Sequence, residues 1–406
     1  MQKSVFAFVF LAAGCVRPPA VRVQPLQPMP VFAAESSTVD TIAPGLVHRS
    51  YWAARGPWAI QVLDVDLAAC WSLAALKAGG QAVGRERTSV LVRAYADSLA
   101  GSLEGPAGAA QSARAGVAVS RGSVGGGINA DFFTFAPPGV PIGPHVAAGR
   151  VIAGPGTRPA LAFDSGGAPF IGDFTARGYA VIGADSFPVA AWNQRRLPGL
   201  ALFDRAWGPA TDTATGAIEV LVIAGVVAAV DTLTSGVAIP EGGAVLVLSR
   251  DARADVRQRV ASLQSGAPVR WAVTLVPFVP SEAVGGFPVL LRDSAHAGNL
   301  DSAGAATFAP VRHPRTAVGV AAAGRRLLLV TVDGRQLPYS DGMTLRELAD
   351  FFLQLGVPAA INLDGGGSTT MVVRDRGGAL RIVNRPSDKE GERPVGNALA
   401  VVRGCR

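Results

Sequence analysis

The sequence predicts an α+β fold in which strand-rich mixed sheets are packed against a few helices. Short apolar runs interrupted by Gly, Pro, Asp and Asn recur from Trp58 onward, which is typical of strands joined by tight turns. Helical periodicity is found in only two segments of the chain. The chain has no self-similarity with a period of about 20–50 residues, so a repeat architecture is not expected.

The segment 59–67 is the clearest strand candidate, because its apolar and polar residues alternate as they do in a half-buried strand. Asp64 and Asp66 share one face of it. A solvated face explains them better than a metal pair, because no third ligand is near in the sequence. The other predicted strands are 159–163, 218–223, 244–248, 270–275, 327–332, 359–363, 369–373 and 397–402.

Two segments carry helical signals. Residues 251–264 place three apolar residues on one stripe of a helix. Thr344 and Glu347 form a capping box, in which the Thr hydroxyl accepts a hydrogen bond from a free backbone amide and the Glu side chain reaches back. The helix that starts there is expected to bury Leu345, Leu348, Phe351, Phe352 and Leu355, and to end before Gly356.

Composition excludes three classes of protein. The 406 residues are 49% hydrophobic and 17% charged, which supplies enough core to argue against intrinsic disorder. After the first dozen residues no apolar run approaches the roughly 18 residues that span a bilayer. The net charge of +7 comes from arginines that are scattered along the chain, so a nucleic-acid partner is not expected.

The N-terminus predicts export. Residues 1–15 combine Lys3 with a short apolar run and resemble a secretory signal that ends in a lipobox, whose Cys15 would be lipidated. Ala12 stands where lipoboxes usually carry Leu, so ordinary cleavage is the alternative. Residues 16–45 are a Pro-rich linker and 46–406 form the folded domain, which predicts an exported lipoprotein held at a membrane surface of the cell envelope.

Two further cysteines, Cys70 and Cys405, are left for an oxidising compartment. They either form a disulfide or remain two separate buried thiols. A disulfide closing so long a loop would stabilise the fold by roughly 4–5 kcal/mol in the chain-entropy account.

Three segments carry side chains suited to chemistry. In the first, residues 125–133, three glycines precede Asn129 and Asp131; glycines let a backbone approach a ligand closely, although a turn before a strand is the alternative. In the second, Arg315 could form a bidentate contact with a phosphate or carboxylate beside Thr316. Asp333 ends an apolar strand, and an ion pair with Arg315 is the alternative.

The third segment, residues 359–373, is the most specific. An apolar strand delivers Asp364 to a triple-glycine turn, which suits an anionic or sugar substrate; a hairpin in which Asp364 only bonds the turn is the alternative. A phosphate-binding P-loop would need a lysine and a following helix, and a nucleophile elbow would need a glycine where Thr370 stands. The turn and its first hydroxyl are Gly365, Gly366, Gly367 and Ser368.

Metal sites lack support in the sequence. The four histidines show no paired spacing and no C-x-x-C motif occurs, so neither a metal nor another cofactor is expected. These histidines are His48, His145, His296 and His313.

Taken in order, these segments resemble the phosphodiester glycosidase family. The resemblance covers most of the chain from about residue 58, and LDGGGSTT is its most specific block. The stretch after Phe133 departs from the family's glycine-rich turn. The matching blocks are GGINADFF, the GGFP strand start, HPRTAVGV, VTVDGR, SDGMTLRELADFFLQLG, INLDGGGSTTMVV and RPVGNALAVV.

The resemblance implies a hydrolase that cleaves the bond between a sugar's anomeric carbon and a phosphodiester oxygen. Asp364 is then the expected nucleophile or base, with Asp333 as the second choice. Arg315 would hold the phosphate with Thr316 and the turn 365–368. Asn129 and Asn362 would orient sugar hydroxyls.

Two other readings remain open at this point. A non-catalytic envelope lipoprotein could use the same fold to bind a glycan or a phosphate-containing polymer. A metal-dependent phosphodiesterase that cuts the P–O bond is disfavoured by the lack of ligand clusters. The expected partners are therefore a sugar-phosphodiester or envelope-polymer substrate and, through the N-terminal lipid, a membrane surface.

Overall fold

The computed structural model describes residues 34–103, 123–194, 199–211, 216–232, 236–301 and 308–404. It confirms the α+β fold class, with many short strands in several sheets and three α-helices in this part of the chain. The predicted signal peptide, Cys15, most of the predicted linker and Cys405 lie outside the described residues. No helix among the described residues is both long and apolar enough to cross a bilayer.

The elements of the N-terminal half are β1 (Ser36–Ala43), β2 (Leu46–Ala53), β3 (Trp58–Asp66), β4 (Trp71–Leu76), β5 (Glu86–Arg87), α1 (Thr88–Leu103), β6 (Val124–Asn129), β7 (His145–Ala147), β8 (Arg150–Ala153), β9 (Ala160–Phe163), β10 (Pro169–Gly172), β11 (Thr175–Ile182), β12 (Asp185–Trp192) and β13 (Leu200–Phe203).

The elements of the C-terminal half are β14 (Ile218–Ile223), β15 (Val226–Asp231), β16 (Ala244–Leu248), α2 (Ala254–Ala261), β17 (Val269–Val276), β18 (Glu282–Gly285), β19 (Val289–Arg292), β20 (Ala295–His296), β21 (Arg315–Ala321), β22 (Arg326–Val332), α3 (Leu345–Gln354), β23 (Ala359–Asn362), β24 (Met371–Arg374), β25 (Leu380–Ile382), β26 (Pro394–Val395) and β27 (Ala398–Arg403).

The centre of the molecule is an antiparallel eight-stranded sheet in the order β1-β2-β3-β22-β21-β23-β19-β20. Helix α3 packs on one face of it through the apolar residues that the periodicity predicted, including Leu348 and Phe352, which have no exposed surface. The other face packs on a five-stranded sheet, β25-β24-β6-β27-β4, and α1 covers the far side of that sheet. The layer order is therefore helix, sheet, sheet, helix.

The glycines of β6 serve this layered packing. Gly125, Gly126 and Gly127 lie within the strand and are buried. A Cβ atom on Gly126 would lie 2.5 Å from the carbonyl oxygen of Val372, and one on Gly127 would lie 2.5 Å from that of Leu399. The expectation that these glycines admit a ligand is thereby corrected, because neighbouring strands occupy the space that their side chains would fill.

Two further sheets extend the molecule. One has seven strands in the order β15-β14-β16-β13-β12-β11-β17, carries α2, and contains the parallel pair β12–β13. The other has five strands in the order β10-β9-β18-β7-β8. A short pair, β26-β5, links the segment after α3 to the start of α1.

The predicted strands all correspond to observed ones, with ends shifted by one or two residues. The folded domain starts earlier than position 46, because Ser36–Ala43 form an edge strand whose residues are mostly exposed and therefore lack an apolar pattern. Helix α2 is shorter than predicted. Helix α1 carries no capping signal in its first turn and was not predicted.

Candidate functional site

Several strands end together at one end of the two central sheets, and the site lies there. Strand β6 ends at Asn129, two residues before Asp131, and β23 ends at Asn362, two residues before Asp364. Strand β21 starts at Arg315, which is paired with the last residue of β22. Antiparallel pairing of β21 with β23 brings these ends to one edge.

Asp364 is the carboxylate that the sequence favoured, and it lies at this edge. Its backbone amide donates to the carbonyl oxygen of Ala130 at 2.8 Å. Burial raises the pKa of its carboxyl to about 6, while the Ser368 hydroxyl and the charge of Arg393 oppose that rise. Such a group is mostly ionised at neutral pH and accepts a proton readily.

Asn129 is hydrogen-bonded to Asp364 and holds it in place. Its side chain is fully buried. Its amide group donates to the carbonyl oxygen of Asp364 at 2.6 Å, and its Oδ1 accepts from Thr316 Oγ1 at 2.7 Å and from the Thr370 amide at 3.1 Å. Asn129 and Thr316, which were expected to bind a sugar and a phosphate, are instead bonded to each other, and Asn129 also bonds to Asp364 and Thr370.

Asp131 is a second buried carboxylate beside Asp364. Its Oδ2 accepts from the Gly143 amide at 2.7 Å, and its Oδ1 has no hydrogen-bond partner among the described residues. Burial, with a smaller contribution from the charge of Asp364, raises the pKa of its carboxyl to about 7. Two neighbouring carboxyls with raised pKa values are typical of acid–base sites.

The buried side chains of Asn397 and His145 form a hydrogen-bonded chain that ends at the backbone amide of Asp131. The Asp131 amide donates to Asn397 Oδ1 at 2.7 Å, and Asn397 Nδ2 lies 3.0 Å from His145 Nδ1. Since an amide nitrogen can only donate, His145 accepts at Nδ1 and carries its proton on Nε2. Burial lowers the pKa of His145 to about 3, which keeps the ring neutral.

An arginine stands near Asp131 at the half-exposed rim. The guanidinium of Arg158 lies 4.1 Å from the ring centre of Phe287 and 5.4 Å from that of Phe132. Its charge lowers the pKa of Asp131 and so opposes the effect of burial. No sequence pattern indicates Arg158, because its position beside Asp131 depends on a loop that lies between β8 and β9.

The triple-glycine turn packs closely against its neighbours. Gly366 has φ +62°, and a Cβ atom there would lie 3.2 Å from Nη2 of Arg335. A Cβ atom on Gly365 would lie 2.6 Å from the carbonyl oxygen of Pro314. The Cβ atom of any residue at 367 would overlap the side chain of Asp388, which forms an ion pair with Arg393. Glycine is required here by space as well as by conformation.

Arg315 is not placed as a phosphate ligand. Its side chain is 1% exposed. Its Nε donates to the Met343 carbonyl at 2.8 Å, and its Nη2 donates to the carbonyls of Phe308 and Val311 at 2.6 and 2.9 Å. Burial lowers its pKa to about 9. Arg315 therefore ties together the loops before β21 and α3, and it forms no ion pair with Asp333.

Asp333 is likewise a structural carboxylate. Its oxygens accept from the hydroxyl of Tyr339, from Asn384 Nδ2 and from the Arg385 amide, each at 3.0 Å. Burial raises its pKa. Because its acceptor positions are used, Asp333 anchors the loop after β25 and is not available as a second catalytic carboxylate.

Asn362 and Ser368 complete the set of predicted residues. Asn362 is 1% exposed, and its amide group donates to the carbonyls of Phe287 and Leu363 at 2.7 and 2.9 Å. Its Oδ1 accepts no hydrogen bond from the part of the chain that the structure describes. Ser368 is buried next to Asp364, whose pKa it lowers. Of the predicted residues, Asp364 and the turn 365–368 lie at the edge where the strands end, close to Asp131.

Cys70 is disulfide-bonded. Cys405 lies outside the described residues, but the preceding Gly404 donates from its amide to the Cys70 carbonyl at 2.8 Å. Pairing of Cys70 with Cys405 remains a prediction.

Among the described residues no group of three or more His, Cys, Asp or Glu side chains could hold a metal ion. Asp64 is buried in an ion pair with Arg326.

Known structures share this fold. A hypothetical protein from Synechocystis matches with a TM-score of 0.71 at 20% identity, over 91% of this chain and 64% of that one. An inferred exported protein from Burkholderia pseudomallei K96243 matches with a TM-score of 0.64 at 25% identity, over 88% of this chain and 77% of that one. This chain therefore spans slightly less than two thirds of the Synechocystis protein.

The matches found by sequence cover a smaller part of this chain than the structural matches do. An uncharacterised prophage-derived protein of Bacillus subtilis strain 168, YomE, is 42% identical over 66 residues, which are 16% of this chain and 10% of that protein. The sequence profile of the phosphodiester glycosidase family matches residues 215–402, a range that includes Asp364 and its glycine turn. The resemblance is thereby confirmed over residues 215–402, which match the sequence profile of this family.

Proposed function

We propose that the protein hydrolyses the bond between the anomeric carbon of a sugar and the oxygen of a phosphodiester, releasing free sugar and a phosphomonoester. The pairing of Asp131 with Asp364 carries this proposal. Both carboxyls have raised pKa values, about 7 and about 6, and they lie beside a bare glycine turn with arginines around it. The family match supports glycosidase chemistry in general.

The leaving group of this reaction is a phosphomonoester, and it departs without much help from a general acid that would protonate its oxygen. A phosphomonoester has a second pKa of about 6, so it departs as a stable anion when the C–O bond breaks. The electron pair of that bond goes to the phosphate oxygen, and water supplies the new oxygen on the anomeric carbon. What the site must stabilise is a positively charged, oxocarbenium-like carbon, and a buried carboxylate does so.

The two carboxyls suit different parts of this reaction. Asp364, with the lower pKa, is the ionised group that meets the anomeric carbon or activates water. Asp131, with a pKa of about 7, exchanges its proton near neutral pH and takes up the proton that the water releases.

The test is the Asp364→Asn variant with sugar-1-phosphodiesters, including nucleotide sugars and wall-polymer fragments, while free reducing sugar is measured. Release of sugar should fall by at least about a thousandfold, because a neutral amide can neither accept a proton nor stabilise the cation. Unchanged far-UV circular dichroism would show that the variant is folded. Turnover like that of the wild type would overturn the assignment.

The identity of the products separates the alternatives. Free sugar with a phosphomonoester supports the proposal. Sugar phosphate would indicate cleavage of the P–O bond, and binding without any product would indicate an envelope protein that only holds its polymer. The anomeric configuration of the first product, read by proton NMR, distinguishes Asp364 acting as nucleophile from Asp364 acting as base.

We also propose that the protein acts outside the cytoplasm, anchored by lipid on Cys15. The signal-like residues 1–15 and the similarity to the Burkholderia protein support export. Incorporation of labelled fatty acid into the wild type and its loss in Cys15→Ala would test the anchor. Equal labelling of both proteins, or of neither, would contradict it.

A further inference from the structure

We propose that Arg335 is the residue that binds the phosphate group of the substrate. The inference deepens the proposed function and rests on it, since it names the group that recognises the phosphate of the substrate. It also replaces Arg315, whose guanidinium is buried and bonded to backbone carbonyls.

The guanidinium of Arg335 lies directly on the glycine turn that follows Asp364. A Cβ atom on Gly366 would lie 3.2 and 3.3 Å from its two terminal nitrogens. Its side chain is exposed, and its Nε and Nη2 point to His313 Nδ1 at 3.4 and 3.2 Å. Nη1 makes no hydrogen bond to a described residue, so the guanidinium retains donors for a phosphate oxygen.

The backbone of Arg335 supports a role in ligand binding. Its φ of +59° lies in the left-handed region, which costs a residue with a side chain roughly 1 kcal/mol or more. The surrounding loop enforces this conformation, because the Arg335 amide donates to the Asp341 carbonyl at 3.2 Å and the adjacent Gln336 amide donates to the Ser340 carbonyl at 3.0 Å. Strained residues of this kind are found more often at binding and active sites than elsewhere.

The balance of charge at the turn favours an anion. Among the described residues no carboxylate forms an ion pair with Arg335. Arg393 is also near the turn, but its charge is already matched by Asp388 at 2.7 Å. A phosphate at Arg335 would supply the missing countercharge, and the cation would offset the repulsion between that phosphate and Asp364.

Arg335 lies close to the residues that follow Asp364. Because its terminal nitrogens lie 3.2 and 3.3 Å from the position of a Cβ atom on Gly366, a phosphate bound to Arg335 would lie beside this turn, two residues after Asp364. A phosphate held there would present its ester oxygen, and hence the anomeric carbon, to the carboxylate. The same arrangement suits the phosphomonoester product, which binds the site with a higher negative charge.

Binding of inorganic phosphate to the full-length protein tests the inference without any need for turnover. Isothermal titration calorimetry would compare the wild type with Arg335→Gln and Arg335→Lys. The matched control is Arg325→Gln, an exposed arginine at the other end of β22, about 20 Å away along the strand. We expect Arg335→Gln to weaken binding at least about tenfold, Arg335→Lys to weaken it less, and the control to bind within about twofold of the wild type.

Three results would overturn the inference: no phosphate binding by the wild type, unchanged binding by Arg335→Gln, or an equal loss in the Arg325→Gln control. Arg335 is exposed, and Gln meets the same left-handed conformation that Arg does, so the variant should fold like the wild type. The proposed function is measured separately as release of sugar. Phosphate binding that depends on Arg335 in a protein that releases no sugar would uphold the anion site and reject the reaction.

Discussion

At the scale of single residues, burial decides what each polar side chain can do. Asp333 and Asp364 both follow apolar strands, but the oxygens of Asp333 already accept hydrogen bonds from Tyr339, Asn384 and the Arg385 amide. The rise in the pKa of Asp131 comes from the same cause. A carboxyl cut off from water favours its neutral form.

The pKa of Asp131 leads to a prediction about stability. Its pKa rises from 3.8 to about 7 on folding, so the folded state binds the proton more tightly than the unfolded chain does. The resulting stability is fully present below pH 3.8 and is lost as the pH rises through about 7. Asp131→Asn, which is always neutral, should therefore be more stable than the wild type at pH 8, by about 1–4 kcal/mol, although it should lose activity.

Urea unfolding of the wild type and Asp131→Asn at pH 4 and pH 8 checks this prediction. At the lower pH the two proteins should have similar midpoints, because the wild-type carboxyl is already protonated in the folded state. The exposed Asp251→Asn should change nothing at either pH. A variant that is less stable than the wild type at pH 8 would show that the buried carboxylate is compensated by its surroundings.

At the scale of elements, a helix start can be predicted from sequence when the residues that cap it lie within the helix's own first turn. The capping box of α3 forms as predicted: Thr344 Oγ1 accepts from the Glu347 amide at 3.1 Å, and Glu347 accepts from the Thr344 amide at 2.9 Å. Helix α1 has no such signal. Its first turn is held by Glu392, about 300 positions away, which accepts from the Ser89 amide at 2.7 Å.

Loss of the α3 cap should destabilise the protein without changing its chemistry. Thr344→Ala removes the acceptor for the Glu347 amide and should lower the free energy of unfolding by about 1 kcal/mol. Thr344→Ser keeps the hydroxyl and should stay close to the wild type. Chemical denaturation measures both, with release of sugar as the check on the site. Equal stability of the Ala and Ser variants would mean that the hydroxyl contributes nothing.

At the scale of the whole molecule, the site is assembled from segments far apart in the chain. The bond from Asn129 to Asp364 joins residues 235 positions apart, and that from Asp131 to Asn397 joins residues 266 apart. Antiparallel strands from both halves meet at one edge, and this brings the two carboxyls together. The match to the family profile begins at residue 215, so Asn129 and Asp131 reach the site only through the fold.

We predict that Cys70 and Cys405 form a disulfide, which would link two residues that are far apart in the sequence. Cys70→Ser, Cys405→Ser and the double variant should then lose the same stability, up to about 5 kcal/mol, because either single change breaks the same bond. Peptide mapping without reductant should find Cys70 linked to Cys405. Linkage of Cys70 to another cysteine, or additive losses in the double variant, would contradict the pairing.

The sequence by itself predicted the fold class, nine of the 27 strands in the described part of the chain, the capped helix, and Asp364 with its glycine turn as a candidate site, because periodicity, caps and glycine requirements act over a few neighbouring residues. Only the tertiary structure decided which polar side chains at the strand ends are occupied by hydrogen bonds within the protein. Strand ends carry side chains to either face, and hydrogen bonds from distant loops occupied Arg315, Asn129 and Asp333. The same packing left Asp131 and Arg335 at the site, where burial and unmatched charge give them their chemistry.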